Sequence, residues 1–433
     1  MAAATHAPIR GFLTFLIGAA CLAAPASLLA QAPPAVGPEF RVNSYTTGTQ
    51  ERPAARGLGP PYVFTVAWQS DGQDGDGYGI FAQQYDGLSG APFGTELRVN
   101  TYTTSSQHAV SVEGEGSNLV FAWQSEGQDG DLGGVFAQRW VGTGGPVGGE
   151  FRVNTNTTSS QGAPAAAVDA DGNFVVVWAS LDQDGSGSGI FGQRYANSGA
   201  PLGGEFQVNS YTTGFQGHPS VAVDTATSFP TNGVFVVVWE GQGADDQPFG
   251  IYAQRYSPDG TPIGGEFHVN SFTTGDQRYP RVNAGTGGFT VVWESDGLDG
   301  SGPGVSVRGF SLSTGIPGLS DHRVNTYTTG SQNRPVVHSR EWGNQVVTWQ
   351  SDDNQEPQGG VFGQFSYGLS PIGTELRVNT YTTATQDQPV VTHGGYVLFA
   401  WSSQQDPDGS RGIYAQRWNP PWIPVELQGF TVE

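Results

Sequence analysis

Seven times along the chain a nearly unbroken apolar run ends in tryptophan, and twelve residues later a second run opens on isoleucine or valine. The tryptophans are Trp68, Trp123, Trp178, Trp239, Trp293, Trp349 and Trp401; the openers are Ile80, Val135, Ile190, Ile251, Val305, Val361 and Ile413. Runs of the first kind, such as Phe174 to Trp178, have no polar face, the pattern of a strand covered on both sides. Runs of the second kind, such as Ile190 to Tyr195, alternate apolar and polar positions and predict a strand with one drier face. The third unit shows two further elements: residues 164–169, followed by the hairpin signal Asp171-Gly172, and residues 205–208 after a Gly/Pro-rich turn. Each unit therefore offers four strands, and no segment beyond the first thirty residues has a helical period.

The polar positions repeat as strictly. Asn43, Asn100, Asn154, Asn209, Asn270, Asn325 and Asn379 each open the frame Asn-x-x-Thr-Thr-x-x-Gln, at spacings of 54 to 61 residues. Four strands per unit, seven times over, predict an all-β chain folded as a seven-bladed β-propeller of four-stranded antiparallel blades. A β-solenoid would show shorter coils, and separate sandwiches would need about seven strands each. Glu39 to Asn43 supply a fourth-type strand ahead of the first full unit, whereas the seventh unit, ending at Trp418, lacks one. The N-terminal strand is thus expected to complete the last blade and close the ring, with Pro424 to Leu427 as a competitor for that place. The tryptophans are expected between blades in the core, and the Asn and Gln side chains on loop backbone.

The chain begins with a short lead whose one strong cation is Arg10, then an apolar stretch from Phe12 to Leu29 with small residues near its end. This reads as a signal peptide over 1–30, leaving 31–433 as the propeller with a tail at 419–433 and no membrane span after cleavage. The protein is expected outside the cell, in the periplasm or on the outer surface. Cys21, the one cysteine, lies in that lead, so the mature chain has no disulfide, thiol nucleophile or thiolate metal site. There is no lysine; losing Arg10 takes the net charge from −21 to −22. Such a surface repels nucleic acid and anionic lipid, and leaves protein or glycan partners. The expected state is a monomer that needs no cofactor to fold.

Candidate chemistry is sparse. Six residues beyond the tryptophans, acids recur on Gly-bent loops at Asp74, Asp129, Asp184, Asp245 and Asp299, while the sixth and seventh units have Gln355 and Pro407 there. Carboxylates on such loops are calcium-type oxygen ligands, and Asp-Gly is equally a turn former. The spacing is not that of an EF-hand, nor does it match the Asp-box of sialidase propellers. Catalysis by a carboxylate pair would need acids placed uniquely at the ring centre, and these are distributed by blade. His108, His218, His268, His322, His338 and His393 fall at unrelated repeat positions, with no zinc-binding spacing. The fourth unit carries an insert, Thr225 to Asn232. No catalytic residue is assigned, and the chain is expected not to be an enzyme.

The runs Arg98 to Thr104, Val175 to Trp178, Gly127 to Gly130 and Gly250 to Tyr256 resemble a tandem repeat of secreted bacterial proteins, often found in large surface or calcium-associated chains. The resemblance covers about residues 39–418. More distantly the units look like the propellers of integrin-type repeats and of some lectins, without the integrin-type alternating-Asp calcium loop. The segment from Pro424 to Glu433 looks like a join to further modules. Together these imply a non-enzymatic binding, adhesion or scaffold propeller with a multivalent surface. The alternatives are a glycan-binding lectin and a carbohydrate-active hydrolase or lyase.

Overall fold

The computed structural model describes residues 33–421 apart from 227–230, 244–248, 319, 342, 354–355 and 407. The expected signal peptide and the tail beyond Pro421 lie outside the described residues. Seven four-stranded antiparallel sheets form the blades of a ring. Blade 3 is typical: an inner strand Gln161–Val168, then Phe174–Leu181, Ser188–Tyr195 and the outer Phe206–Gln207. The seventh blade takes its outer strand from the N-terminus, Ala35–Arg41, which pairs with Gly412–Trp418. Closure by the N-terminal strand follows the sequence expectation. Inner strands begin on one face of the ring, with the outer-to-inner loops and the Asp-Gly loops. They end on the opposite face.

All seven tryptophans are fully buried, none more than 1 % exposed. Burial of each contributes about 4–6 kcal/mol as an upper figure. They pack between blades: Trp68 joins Ile413 and Ala415 of blade 7, and Trp178 joins Val120 and Val135 of blade 2. The apolar run before each tryptophan has no polar face because it is sandwiched between two blades.

The repeat Asn is the joint between consecutive blades. Asn154 Oδ1 accepts the N–H of Val135 at 2.7 Å, while its Nδ2 donates to Gln161 Oε1 at 3.0 Å and to the Asn156 carbonyl at 2.7 Å. Val135 belongs to blade 2 and Gln161 starts blade 3, so one buried amide fixes both. An acid on each outer strand adds a clasp. Glu96, Glu150, Glu205, Glu266, Asp321, Glu375 and Glu39 each accept the backbone N–H that follows the repeat Asn of the entering loop, at 2.5–2.8 Å. Seven of the chain's acids are thus structural, so the net charge overstates the freely acidic surface. Substituting Asn154 by Asp, isosteric but unable to donate, turns its inner oxygen against three acceptors, the Asp129 carboxylate among them. We expect a loss of about 3–5 kcal/mol, read as a lowered midpoint in denaturant titration.

A further device positions the ring centre. In every inner strand the residue two beyond the repeat Gln has positive φ, from 48° to 55°: Arg52, Ala109, Ala163, His218, Tyr279, Arg334 and Gln388. A non-glycine residue there costs about 1–2 kcal/mol, and the strand register shifts at the same place in every blade. The bulge turns a backbone N–H toward the preceding blade. Where the residue after the tryptophan has an acceptor in reach, it receives it: Gln69 Oε1 takes Ala109 N–H at 3.1 Å, Gln350 Oε1 takes Gln388 N–H at 2.9 Å and Ser402 Oγ takes Arg52 N–H at 3.2 Å.

Candidate functional site

That receiving position is where the repeat loses its symmetry. It holds Gln69, Gln124, Ala179, Gln350 and Ser402 in five blades, but Glu240 and Glu294 in blades 4 and 5. Glu240 Oε2 accepts Tyr279 N–H and Glu294 Oε1 accepts Arg334 N–H, both at 2.6 Å. The geometry is that of the glutamines, but an amide has become a carboxylate at two adjacent points on the channel's inner rim. Both are buried, Glu240 wholly and Glu294 to 7 % exposure.

Their surroundings differ. Glu240 Oε1 lies 2.9 Å from His218 Nδ1 and 3.7 Å from Arg278 Nη1. Burial pushes the Glu294 carboxyl up to about 7, with Glu240 pushing the same way and the Arg334 N–H, Arg334 and Arg281 opposing. One acid of the pair therefore stands beside an imidazole and a guanidinium, and the other holds a proton near neutrality. Two carboxyl groups of unlike environment are the arrangement that divides acid and base roles.

Aromatic rings surround them. Phe215 is exposed and meets Phe249 edge-on at 5.6 Å, and the His218 ring lies 4.6 Å from Tyr279. The Arg278 guanidinium stands 3.8 Å over Phe249 and is held by Asp276 at 2.8 Å. The Arg334 guanidinium stands 5.5 Å from the Tyr279 centroid. A carboxyl pair, arginines and partly exposed rings on one rim can hold a polar, ring-shaped molecule by hydrogen bonds and apolar stacking.

The aspartates singled out in sequence lie elsewhere. Asp74, Asp129, Asp184 and Asp299 occupy one place in blades 1, 2, 3 and 5, each accepting from Nδ2 of the repeat Asn at 3.0, 3.1, 3.3 and 3.4 Å. Asp245 lies outside the described residues. A Cβ on Gly134 would stand 2.6 Å from Asp129 Oδ2, and Gly79, Gly189 and Gly304 are crowded by Asp74, Asp184 and Asp299 in the same way, which explains the glycine before the third-strand Ile or Val of blades 1, 2, 3 and 5. In blade 7 the acid beside the equivalent glycine, Gly412, is Asp406, one residue earlier than the spacing suggests. The structure leaves these acids one to a blade. Among the described residues no group of three or more His, Cys, Asp or Glu is placed to hold a metal ion.

Sequence reasoning missed Glu240 and Glu294 because it followed acids that recur. The available signal was the reverse: an acid in two units at a position that is Gln, Ala or Ser in the others.

No family model and no curated protein sequence matches the chain. Solved structures do. A protein of unknown function from Dyadobacter fermentans DSM 18053 is similar over 88 % of this chain and 98 % of its own, at 10 % identity and TM-score 0.50. The phage phi92 endosialidase is similar over 91 % and 71 %, at 7 % identity and TM-score 0.49. The Penicillium chrysogenum α-L-arabinanase is similar over 72 % and 94 %, at 12 % identity and TM-score 0.46. At such identities the likeness is one of fold. The expectation that the chain is not an enzyme is withdrawn. It rested on the absence of a recognised motif, which excludes no activity; the matched structures include arabinanases, a family-43 glycoside hydrolase and a sialidase.

Proposed function

We propose that this chain is a secreted, carbohydrate-active propeller, with its site on the inner rim of blades 4 to 6. The observation that carries the reading is the pair Glu240 and Glu294, standing on neighbouring blades where the repeat otherwise places neutral side chains. Phe215, Phe249 and Tyr279 offer faces for the apolar side of a sugar ring, and Arg278 and Arg334 donors for its oxygens. Glu294, protonated near neutrality, is the proposed general acid toward a glycosidic oxygen. Glu240, on the adjacent blade, is the carboxylate that assists from the other side. The glycosidic C–O bond breaks as the leaving oxygen takes the Glu294 proton, and water adds to the anomeric carbon, giving its own proton to Glu240 and leaving the hydroxyl of the new reducing end.

The test is release of reducing ends by residues 31–433 from a panel of polysaccharides and sialylated glycans. Turnover should fall about 100-fold or more in Glu294→Gln and Glu240→Gln. Its rate should decline as pH rises through about 7, since the acid then lacks its proton. Binding of glycans with no turnover at any pH would favour a lectin, and neither binding nor turnover would remove the carbohydrate reading altogether.

A further inference from the structure

The opposite face of the ring has its own break in symmetry. On each inner strand one residue pairs across from the position three before the tryptophan: Arg56, Glu113, Ala167, Ala222, Asn283, His338 and Thr392. Only the two alanines agree. Where the joints repeat in every blade, this position differs almost blade by blade. All of these but Thr392 line a cavity of about 350 Å³ at the channel's second mouth, together with Glu115, Ser339 and His393. That volume lies in the range of small-ligand pockets, about 300–1,000 Å³.

The lining is divided. Blades 3 and 4 contribute an apolar arc, with Val168, Val221 and Val223 beside the alanines. Facing it, Arg56 lies 3.0 Å from Glu113 and 3.5 Å from Glu115, so two carboxylates share one guanidinium and one negative charge is left over. Burial, Arg56 and His393 hold the His338 imidazole well below its ordinary range, so it brings no positive charge at neutral pH. Burial raises the Glu113 carboxyl, with Glu115 adding and Arg56 opposing; a cation beside the pair would offset the repulsion between them. The first residues of the blade 4 insert border the mouth. Asp224 accepts from Thr231 Oγ1 at 2.6 Å and from Gly287 N–H of blade 5 at 3.0 Å, and Thr225 and Ala226 line the cavity.

We infer that this second mouth is a binding site for a small organic monocation, an amine or quaternary ammonium with an apolar body. Its charge meets the uncompensated carboxylate of blade 2 and its body meets the aliphatic arc of blades 3 and 4. The negative field of the whole chain draws such a molecule in. The site lies at the other end of the inner strands from Glu240 and Glu294, some four residues or about 13 Å along each strand, and does not depend on the carbohydrate reading.

Isothermal titration of residues 31–433 with benzylamine, choline and the neutral benzyl alcohol tests this. Benzylamine or choline should bind with Kd of about 1 mM or tighter, and at least about tenfold more tightly than benzyl alcohol. Glu113→Gln and Glu115→Gln should each weaken the cation at least about tenfold, while Glu294→Gln leaves it unchanged. The inference is overturned if neither cation binds, if benzyl alcohol binds equally well, or if both glutamine variants, shown folded by their melting curves, keep wild-type affinity. Should one of them fail to fold, the other decides.

Discussion

At pH 8 the Glu294→Gln protein melts above the wild type, and by pH 4 the difference has vanished. Glu294 has a folded pKa of about 7 against an ordinary 4.5. Between those values the native state holds a proton that the unfolded chain has lost, so native stability falls as pH rises through that window. Above pH 7 the wild type carries a buried carboxylate, costing about 2–3 kcal/mol relative to a neutral side chain. Glutamine carries no such charge, and its amide oxygen can still receive Arg334 N–H, as Gln69 and Gln350 receive theirs in blades 1 and 6. For a chain of this length the gain corresponds to a melting shift of about 3 °C. Calorimetry at pH 4 and 8 measures it, alongside turnover. A higher melting point with lost turnover marks a residue kept for chemistry at the expense of stability. A lower melting point at pH 8 would mean that Glu294 is ionised and structurally paired, and the proposed acid would fall with it.

A chain begun at Ser44 should fail to form a monomeric, cooperatively melting ring. It loses the strand Ala35–Arg41 and with it the buried Val42 and the ring contact of Phe40 with Tyr85, at 5.4 Å. It also loses the Asn43 joint to Ile413 at 2.7 Å, the Glu39 clasp on Thr380 at 2.7 Å and the bond from Gln416 to the Gly37 carbonyl at 2.7 Å. Burial of two apolar side chains alone is worth about 3–6 kcal/mol, and an unsatisfied buried Ile413 N–H adds about 1–3 kcal/mol. Together they approach the net stability of a typical domain, about 5–15 kcal/mol. Strand Gly412–Trp418 would then present an open edge to other chains. Light scattering after size exclusion should show oligomers or aggregate, and a peptide of residues 31–43 should restore the monomer. A monomeric 44–433 that melts cooperatively would show that the C-terminal segment, which competes for the place in sequence, can close the ring.

The fold was legible because each of its requirements recurs. A tryptophan between every pair of blades and an amide at every joint leave seven copies of one signal. Even the closing strand could be read, from a fourth-type segment before the first unit and a gap after the last. The positive-φ bulge was also in view, as the Gln-x-x-Pro run of six units, Gln161 to Pro164 among them. It went unread because a proline looks like punctuation until a bulge is seen there. The sites were not legible. Glu240 and Glu294 are single departures from a pattern, and their carboxyls feel each other only because Trp239 and Trp293 hold the same place in adjacent blades. Arg56 and His393 are 337 positions apart and share a cavity because the ring joins first blade to last. His338 and His393 hold different positions in the repeat, and their convergence depends on which residues the channel curvature turns inward.

The clasp from Glu39 to Thr380 uses the same atoms as the one from Glu150 to Thr101, although a peptide link runs through the loop in one case and the ring is closed without one in the other. Where the termini fall is therefore a matter of gene layout rather than of architecture. Joining Asn419 to Pro34 through a short linker, their backbones being already 3.1 Å apart between N and O, and opening the chain at any other outer-to-inner loop should give circular permutants with the same ring. Such permutants would bring the charged side of the second mouth onto a contiguous stretch of sequence. Blades 4 to 6 could lie mid-chain, or blades 6, 7, 1 and 2 could be consecutive, without altering the side chains that face the channel.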